Sequence, residues 1–449
     1  MELNLASYVS IVLFVLSGTY VYYRTRSRSP LRLPPSPPGW PVIGHLHLMT
    51  DMPHHALAEL ARSMRAPLLR LQLGSIPAVV ISKPDLAREA LTTNDAAMAS
   101  RPHLLSGQFL SFGCSDVTFA PAGAYHRMVR RVVVSDLVSP RRVATYGGFR
   151  DEELRRLLAH LTESASTEET PVNLSKCLLN LANDVLCRIA FGRRFPHGKD
   201  DKLAAVLVES QDLYAGFAIG DFFPELEPLA STLTGLRRRL KSCLADLREV
   251  CDEIIEEHIS GERQCIPGDR DEDFVDVLLR AQKAPDLQVP LTDDNLKSIV
   301  LDEVRRVVGA KGQVKESDLA KLHYMRTIIK ETFRLHPVVP LLVPRESIVA
   351  CTLGGYDIPA KTRIFINTFA MGQDPEIWED PLEYWPERFE IAGGEINLKD
   401  RDYKLMPFGG EGLRAEDISV EESFGLATKK KEPLFVAVRK SDMYEFKGE

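Results

Sequence analysis

Apolar and polar positions follow two rhythms along this chain. Leu68 to Leu73 and Ala78 to Ser82 are short apolar runs with Gly74 and Pro77 between them, the pattern of two strands about a turn. Leu353 to Ile358 and Thr362 to Asn367 read the same way around Pro359. Elsewhere apolar residues return at the period of an amphipathic helix, over Lys83 to Thr92, Arg150 to Leu161, Asn173 to Phe191, Leu233 to Ile259 and Leu319 to Leu335. The last of these stops at His336-Pro337, because the residue before a proline is pushed out of the helical region. Ser260 to Asp273 is polar, carries Gly261, Pro267 and Gly268, and reads as a surface loop. The pattern predicts one large body over 42–449, mainly α with a small β part and no internal repeat.

The N-terminus breaks both rhythms. Leu3 to Tyr23 contains no charged residue and is about long enough to cross a bilayer as a helix. Tyr20, Tyr22 and Tyr23 fall where an interfacial belt would lie. Arg24, Arg26, Arg28 and Arg32 follow, which predicts a cytosolic body behind a single-pass anchor over 1–23. A cleaved signal peptide is the alternative, but its basic residues would precede the apolar run. Residues 24–41 form a basic, proline-rich hinge ending Pro37-Pro-Gly-Trp-Pro41, stiff because proline fixes φ.

Composition narrows the function classes. With 449 residues, 44% of them hydrophobic, the chain can bury a large core. A net charge of −7 argues against a nucleic-acid partner. The cysteines at 114, 177, 187, 243, 251, 265 and 351 are too scattered for a zinc or redox pair and suit a reducing compartment.

The candidate chemistry lies toward the C-terminus. Glu331-Thr-Phe-Arg334 places a carboxylate and a guanidinium three apart on one helical face, a common exposed pairing when it stands alone. It is joined by Met371-Gly-Gln-Asp-Pro-Glu-Ile-Trp378, by Trp385-Pro-Glu-Arg-Phe389 with Arg388, and by Leu405-Met-Pro-Phe-Gly-Gly410. Together these motifs resemble those of the cytochromes P-450, and with the Arg32-Leu-Pro-Pro-Ser-Pro-Pro-Gly-Trp-Pro41 hinge they resemble the plant microsomal A-type group. The stretches Ser111 to Ala120 and Phe222 to Pro228 are similar to grass pimaradiene oxidases, diterpene-oxidising members from phytoalexin biosynthesis.

The resemblance implies a cytochrome P-450 fold, haem, molecular oxygen, an endoplasmic-reticulum membrane, and an NADPH–cytochrome reductase as electron donor. The substrate implied is a small hydrophobic terpenoid, a diterpene. Glu331, Arg334 and Arg388 would form a locked charge network behind the haem loop, where an arginine fork can serve several acceptors. Arg130, His126 (at a position where the family has Trp) and Arg345 would meet the haem propionates; a basic surface helix is the alternative for the first two. Leu104, Leu105, Phe109, Phe112, Val338, Val339 and Leu342 would line the substrate pocket, though the same residues would serve equally as core. Arg127, Arg130 and Arg131 could add to a reductase-docking face, or form a solvated helix.

Two departures follow. Counting the haem loop from Phe408, its Gly position holds Glu411, its Arg position Leu413 and its Cys position Ala415, and no cysteine follows Cys351. The expected metal ligand is therefore absent. Leu291 to Asp302 resembles the start of the oxygen-binding helix and Glu303 to Gly309 the end of the next one, with no acid–alcohol motif between them. Ala392-Gly-Gly-Glu395 matches that motif only superficially. Blocks are expected to be missing at 302/303 and about 410/414, leaving the fold incomplete and this chain inactive. The competing expectation is a non-catalytic, haem-free truncated membrane protein.

Overall fold

The computed structural model describes residues 31–49, 52–166, 172–192, 202–215, 218–260, 323–337, 339–385, 387–391, 403–406 and 435–436, with Gly18 and Arg194 as single positions. Its chain order is α1 (Pro53–Ser63), β1 (Leu68–Leu73), β2 (Ile76–Ile81), α2 (Pro84–Leu91), α3 (Asp95–Met98), α4 (Leu105–Leu110), α5 (Ala124–Val132), α6 (Pro140–Thr145) and α7 (Gly147–Ser166). There follow β3 (Val172–Asn173), α8 (Leu174–Phe191), α9 (Lys202–Ala215), α10 (Glu227–Leu233), α11 (Leu236–Ser260), α12 (His323–Leu335), β4 (Arg345–Glu346), β5 (Cys351–Leu353), β6 (Tyr356–Ile358), β7 (Arg363–Ile366), α13 (Thr368–Gly372), α14 (Arg388–Ile391) and β8 (Phe435–Val436).

Four strands form the main sheet in the order β1-β2-β7-β4, with β2 and β7 parallel and the outer pairs antiparallel. Alternation decides its two faces. Leu69, Leu71, Leu73, Val80 and Phe365 pack with Leu57 and Ala61 of α1. Leu68, Val79, Ile81, Ile364 and Ile366 pack with Ala87, Ala90 and Leu91 of α2 and with Met98. Burial on both sides is why these strands read as continuous apolar runs. The β1–β2 turn is Gly74–Ser75, since Leu73 pairs with Ile76. Pro77, expected in that turn, lies inside β2 opposite Gln72. It is tolerated there because pairing of β2 with β7 begins only at Ala78.

The strand expected over Leu353 to Ile358 is a hairpin. Gly354 and Gly355 have φ of +56° and +75°, the two positive values a tight reversal between β5 and β6 requires. The helix expected from Leu233 is interrupted: α10 ends there, and α11 begins after Thr234-Gly235. Along α11, Leu240, Cys243, Leu247, Val250, Cys251 and Ile254 are buried at helical spacing. They share a core with Leu105, Leu110, Val129, Val133, Leu186 and Leu213, which joins α4, α5, α8 and α9.

Part of the hinge lies on the body. Arg70 N–H donates to the Pro35 carbonyl at 2.8 Å. Arg32 and Asp357 exchange two bonds of 2.8 Å. Among the described residues no helix is long and apolar enough to cross a membrane. The expected anchor lies outside the described residues except for Gly18, and so do 302/303, 410/414 and Ala415.

Candidate functional site

The site is built around α12. Its sequence places Glu331 and Arg334 on one face, and that face is turned inward, with both side chains 0% exposed. Arg334 grips Glu331 with two prongs, Nε to Oε2 at 2.6 Å and Nη2 to Oε1 at 2.7 Å. Arg388 of α14 adds Nε to Oε1 at 3.2 Å, and the Trp385 N–H donates to the same oxygen at 2.8 Å. One carboxylate thus meets two guanidiniums. The surplus positive charge is spread over backbone carbonyls of Gly372, Pro381 and Glu383 around Arg334, and of Glu379, Asp380 and Glu383 around Arg388. Burial alone would raise the Glu331 carboxyl; the bonds from Arg334 and Trp385 and the two nearby cations outweigh it and hold the carboxyl below its usual range.

Aromatic rings close the network. The guanidinium of Arg334 lies 5.4 Å from the Trp378 ring, and that of Arg388 lies 5.1 Å from Trp385. Trp378 Nε1–H donates to the Met371 carbonyl at 3.0 Å. A Cβ at Gly372 would sit 2.1 Å from the Arg334 carbonyl, so only glycine permits α13 to approach α12 this closely. Leu405 packs with Trp378 and Phe389. Leu405, the first residue of the Leu405–Gly410 motif, therefore packs on the rings beside this network, whose three charged members were all legible in the sequence.

The other expected residues are dispersed. His126 and Arg130 share a face of α5, and His126 Nε2 lies 3.2 Å from the Val117 carbonyl. Arg345 is buried on β4 and pairs with Asp95 at 2.9 Å. Arg101, not foreseen from sequence, donates to the Val343 and Pro344 carbonyls beside it at 3.1 and 3.4 Å. Leu105 and Phe112 belong to the helical core with Phe109 against them, while Leu342 belongs to the sheet core with Met371 and Met406. Leu104 is half-buried, Val339 is buried, and Val338 lies outside the described residues. The apolar positions expected to line one pocket thus fall into two clusters, because α4 packs on α9 and α11 whereas Leu342 follows the sheet.

Two features had no sequence signal. Glu152 and Glu153 of α7 meet Arg188 of α8 at 2.9 and 3.1 Å, and Arg194 reaches both carboxylates. Burial pushes the Glu152 carboxyl up, and the bonds from Arg188 and Arg194 bring it below its usual range. The second feature is a pair of buried aspartates at the ends of the 105–119 segment. Asp221 accepts from Leu105 N–H at 2.8 Å, and Asp116 accepts from Phe119 N–H at 2.5 Å. Their partners are 116 and 3 residues away.

No described residues form a cluster of three metal-ligating side chains. The six described cysteines are free thiols. Burial, then the Asp116 charge, pushes Cys114 up to about 12, and burial raises Cys351. Neither offers a thiolate. Cys187, Cys243 and Cys251 are embedded in the helical core.

Comparison with known proteins is consistent across sequence and fold. The family model described as Cytochrome P450 matches residues 34–302 and 298–415. Tryptamine 5-hydroxylase of Oryza sativa subsp. japonica is 68% identical over 519 alignment positions, covering 100% of this chain and 99% of the relative. Strychnine-11-hydroxylase of Strychnos nux-vomica is 35% identical, covering 90% of each chain. Neither name is that of a diterpene oxidase. A zebrafish cytochrome P450 structure with progesterone superposes with a TM-score of 0.62 at 22% identity, covering 80% of this chain and 86% of that one, a likeness of fold. The chain belongs to the cytochrome P450 monooxygenase family.

Proposed function

We propose that the lineage of this chain is a haem-thiolate monooxygenase that hydroxylates an indolic amine such as tryptamine, rather than the diterpene suggested by Ser111 to Ala120 and Phe222 to Pro228. The observation that carries this reading is the 68% identity, end to end, with the rice tryptamine 5-hydroxylase. Flat rings near the candidate pocket wall suit an indole: Phe119 and Tyr214 stack at 5.1 Å with 4° between their planes. Leu105, Phe109 and Phe112 add apolar surface on the same wall.

Haem is the family's cofactor. When bound through a thiolate it supplies oxygen activation. The residues of this chain fit that group only in part. Arg130, His126 and Arg345, with Arg101 beside it, are candidates for its propionates, and Glu331, Arg334 and Arg388 brace the start of the loop that would carry its ligand. The ligand itself does not fit: Ala415 stands at the cysteine position, no cysteine follows Cys351 in the sequence, and Cys114, Cys187, Cys243 and Cys251 are buried. No catalytic step is therefore assigned to this exact chain.

We further propose that two blocks are missing, at 302/303 and about 410/414. Three observations support this. The family matches overlap at 298–302 instead of running through. The second match stops at residue 415. The alignment with the rice relative spans 519 positions, 70 more than the chain's 449 residues. The membrane anchor at Leu3 to Tyr23, the endoplasmic-reticulum location and the NADPH–cytochrome reductase partner belong to the same proposal. The second reading, a haem-free and non-catalytic membrane protein, is favoured for this exact chain by Ala415.

Transcript sequencing across both junctions, with tryptamine turnover by the encoded protein beside a reductase, tests the pair of readings. Recovery of both blocks and a hydroxylated indole product supports the enzyme. Intact junctions with no turnover support the truncated protein. Recovered blocks with no indole oxidation overturn the substrate class.

A further inference from the structure

The segment 104–119 is held by contacts that neither the family motifs nor the charge network explain. Helix α4 begins without a cap of its own: Leu104 is extended and its side chain makes no capping bond. The first helical amide, Leu105 N–H, is buried and must find an acceptor. It finds the Asp221 carboxylate at 2.8 Å, a residue 116 positions later. The segment leaves α4 through Phe112, Gly113 and Cys114, with φ of 46°, 82° and 58°. Two non-glycine residues in the left-handed region, Phe112 and Cys114 on either side of Gly113, make a strained turn that the surroundings must enforce.

Asp221 is itself anchored on the opposite side. Its carbonyl accepts from Arg363 Nη2 at 2.7 Å, and the same guanidinium lies 5.3 Å from the Phe222 ring. The Phe222 carbonyl accepts from both the N–H and the Oγ of Ser75, at 2.9 and 2.8 Å. The 219–223 turn is thus stitched to β7 and to the β1–β2 turn of the main sheet. The Asp221 carboxylate is what reaches the first amide of α4.

We propose that Asp221 is a positioning latch, coupling the main sheet to the apolar wall 104–112. This rests on the reading of that wall as part of the substrate pocket only for its consequence, not for its mechanics. The latch is also tuned by protons. Burial, the largest influence, raises the Asp221 carboxyl above its ordinary value despite the Leu105 N–H and Arg363. His103 ahead of α4 also lowers it, and Glu227 of α10 raises it. The closed state therefore favours the neutral carboxyl, and opening into water favours its ionisation. The wall is held more tightly in acid and released as pH rises through the raised value.

Amide hydrogen exchange on the full chain tests this, with each rate normalised to its intrinsic pH dependence. Asp221→Ala removes the acceptor and is expected to lower protection over 104–112 about tenfold or more, with β1, β2 and α11 unchanged. Asp221→Asn keeps a carbonyl acceptor, so it should retain protection at Leu105 and lose the acid-side rise seen in the wild type. Unchanged protection over 104–112 in Asp221→Ala overturns the latch, as does loosening that is uniform through the molecule. If Asp221→Ala does not fold, the wild type against Asp221→Asn decides: a pH profile identical in both overturns it. Equilibrium dialysis of tryptamine separates the two readings. Tryptamine that does not bind, or binds equally to wild type and Asp221→Ala, removes the pocket assignment and leaves the latch standing.

Discussion

Two buried charge networks brace this molecule, and only one of them could be read in advance. Glu331 and Arg334 are joined by helical spacing, Arg388 comes from a short motif 57 residues beyond Glu331, and all three side chains are almost fully buried. Glu152 and Glu153 of α7 meet Arg188 of α8 and Arg194 just beyond it, partners 35 residues or more along the chain, and Glu152 and Arg194 remain 42% and 24% exposed. The first network has a net positive charge that backbone carbonyls absorb; the second pairs two carboxylates with Arg188 and Arg194, and the exposed Arg156 lies 4.0 Å from Glu153. The difference teaches that burial and a surplus charge demand fixed backbone around a network. That fixed backbone leaves a local sequence signature, whereas a partly solvated network between two helices needs none.

Breaking the first network should have the largest effect. Arg334→Leu leaves Glu331 buried with a weakened partner and strips a donor from Gly372, Pro381 and Glu383. It is expected to destabilise the fold by about 3–5 kcal/mol in urea melts. Arg188→Leu should cost about 1–3 kcal/mol, because Arg194 still reaches both carboxylates and water reaches Glu152. Equal losses in the two variants would erase the distinction drawn between the networks.

Acid should sharpen the comparison next. His54 is buried against Phe369, and burial, then the His55 charge, lowers it to about 4. Between pH 6.5 and about 4 the unfolded chain binds the proton and the folded one does not, so stability falls as pH drops through that window. The slope should be at most about 1.4 kcal/mol per pH unit for this one group, and His54→Phe should flatten it. Glu331 and Glu152 are both lowered, so their contribution is present above the ordinary carboxylate range and is lost only as pH falls further. The smallest effect belongs to an exposed pair. Arg239→Ala, which removes the contact with Glu209 at 2.8 Å, should change stability by under about 0.5 kcal/mol.

How much was legible follows from whether a local pattern marks the residues: Glu331 and Arg388 are 57 apart but each sits in a motif, while Glu153 and Arg188 are 35 apart with none. The strands β1 and β2 and the helices α8, α11 and α12 were visible because burial imposes their period on nearby residues. The Gly354–Gly355 reversal was missed because apolar residues on both sides read as one strand. The break at Gly235 was missed because the helical period resumes beyond it. In the site, the Glu331 network was legible from its motifs. Asp221 and Leu105 were not, since nothing local marks a bond across 116 residues. The residues expected to line a pocket were visible only as apolar positions, and the fold places Leu105, Phe109 and Phe112 in one cluster and Leu342 in another.

The central proposal is that the Glu331 network, read as the brace for a haem loop, persists in a chain with Ala415 at the expected cysteine position. The reduced carbon-monoxide difference spectrum tests this most directly, recorded on this chain and on a version carrying the two blocks of the rice relative at 302/303 and 410/414. The account predicts a thiolate-type band from the restored version and none from this chain. A thiolate-type band from the chain itself would contradict it.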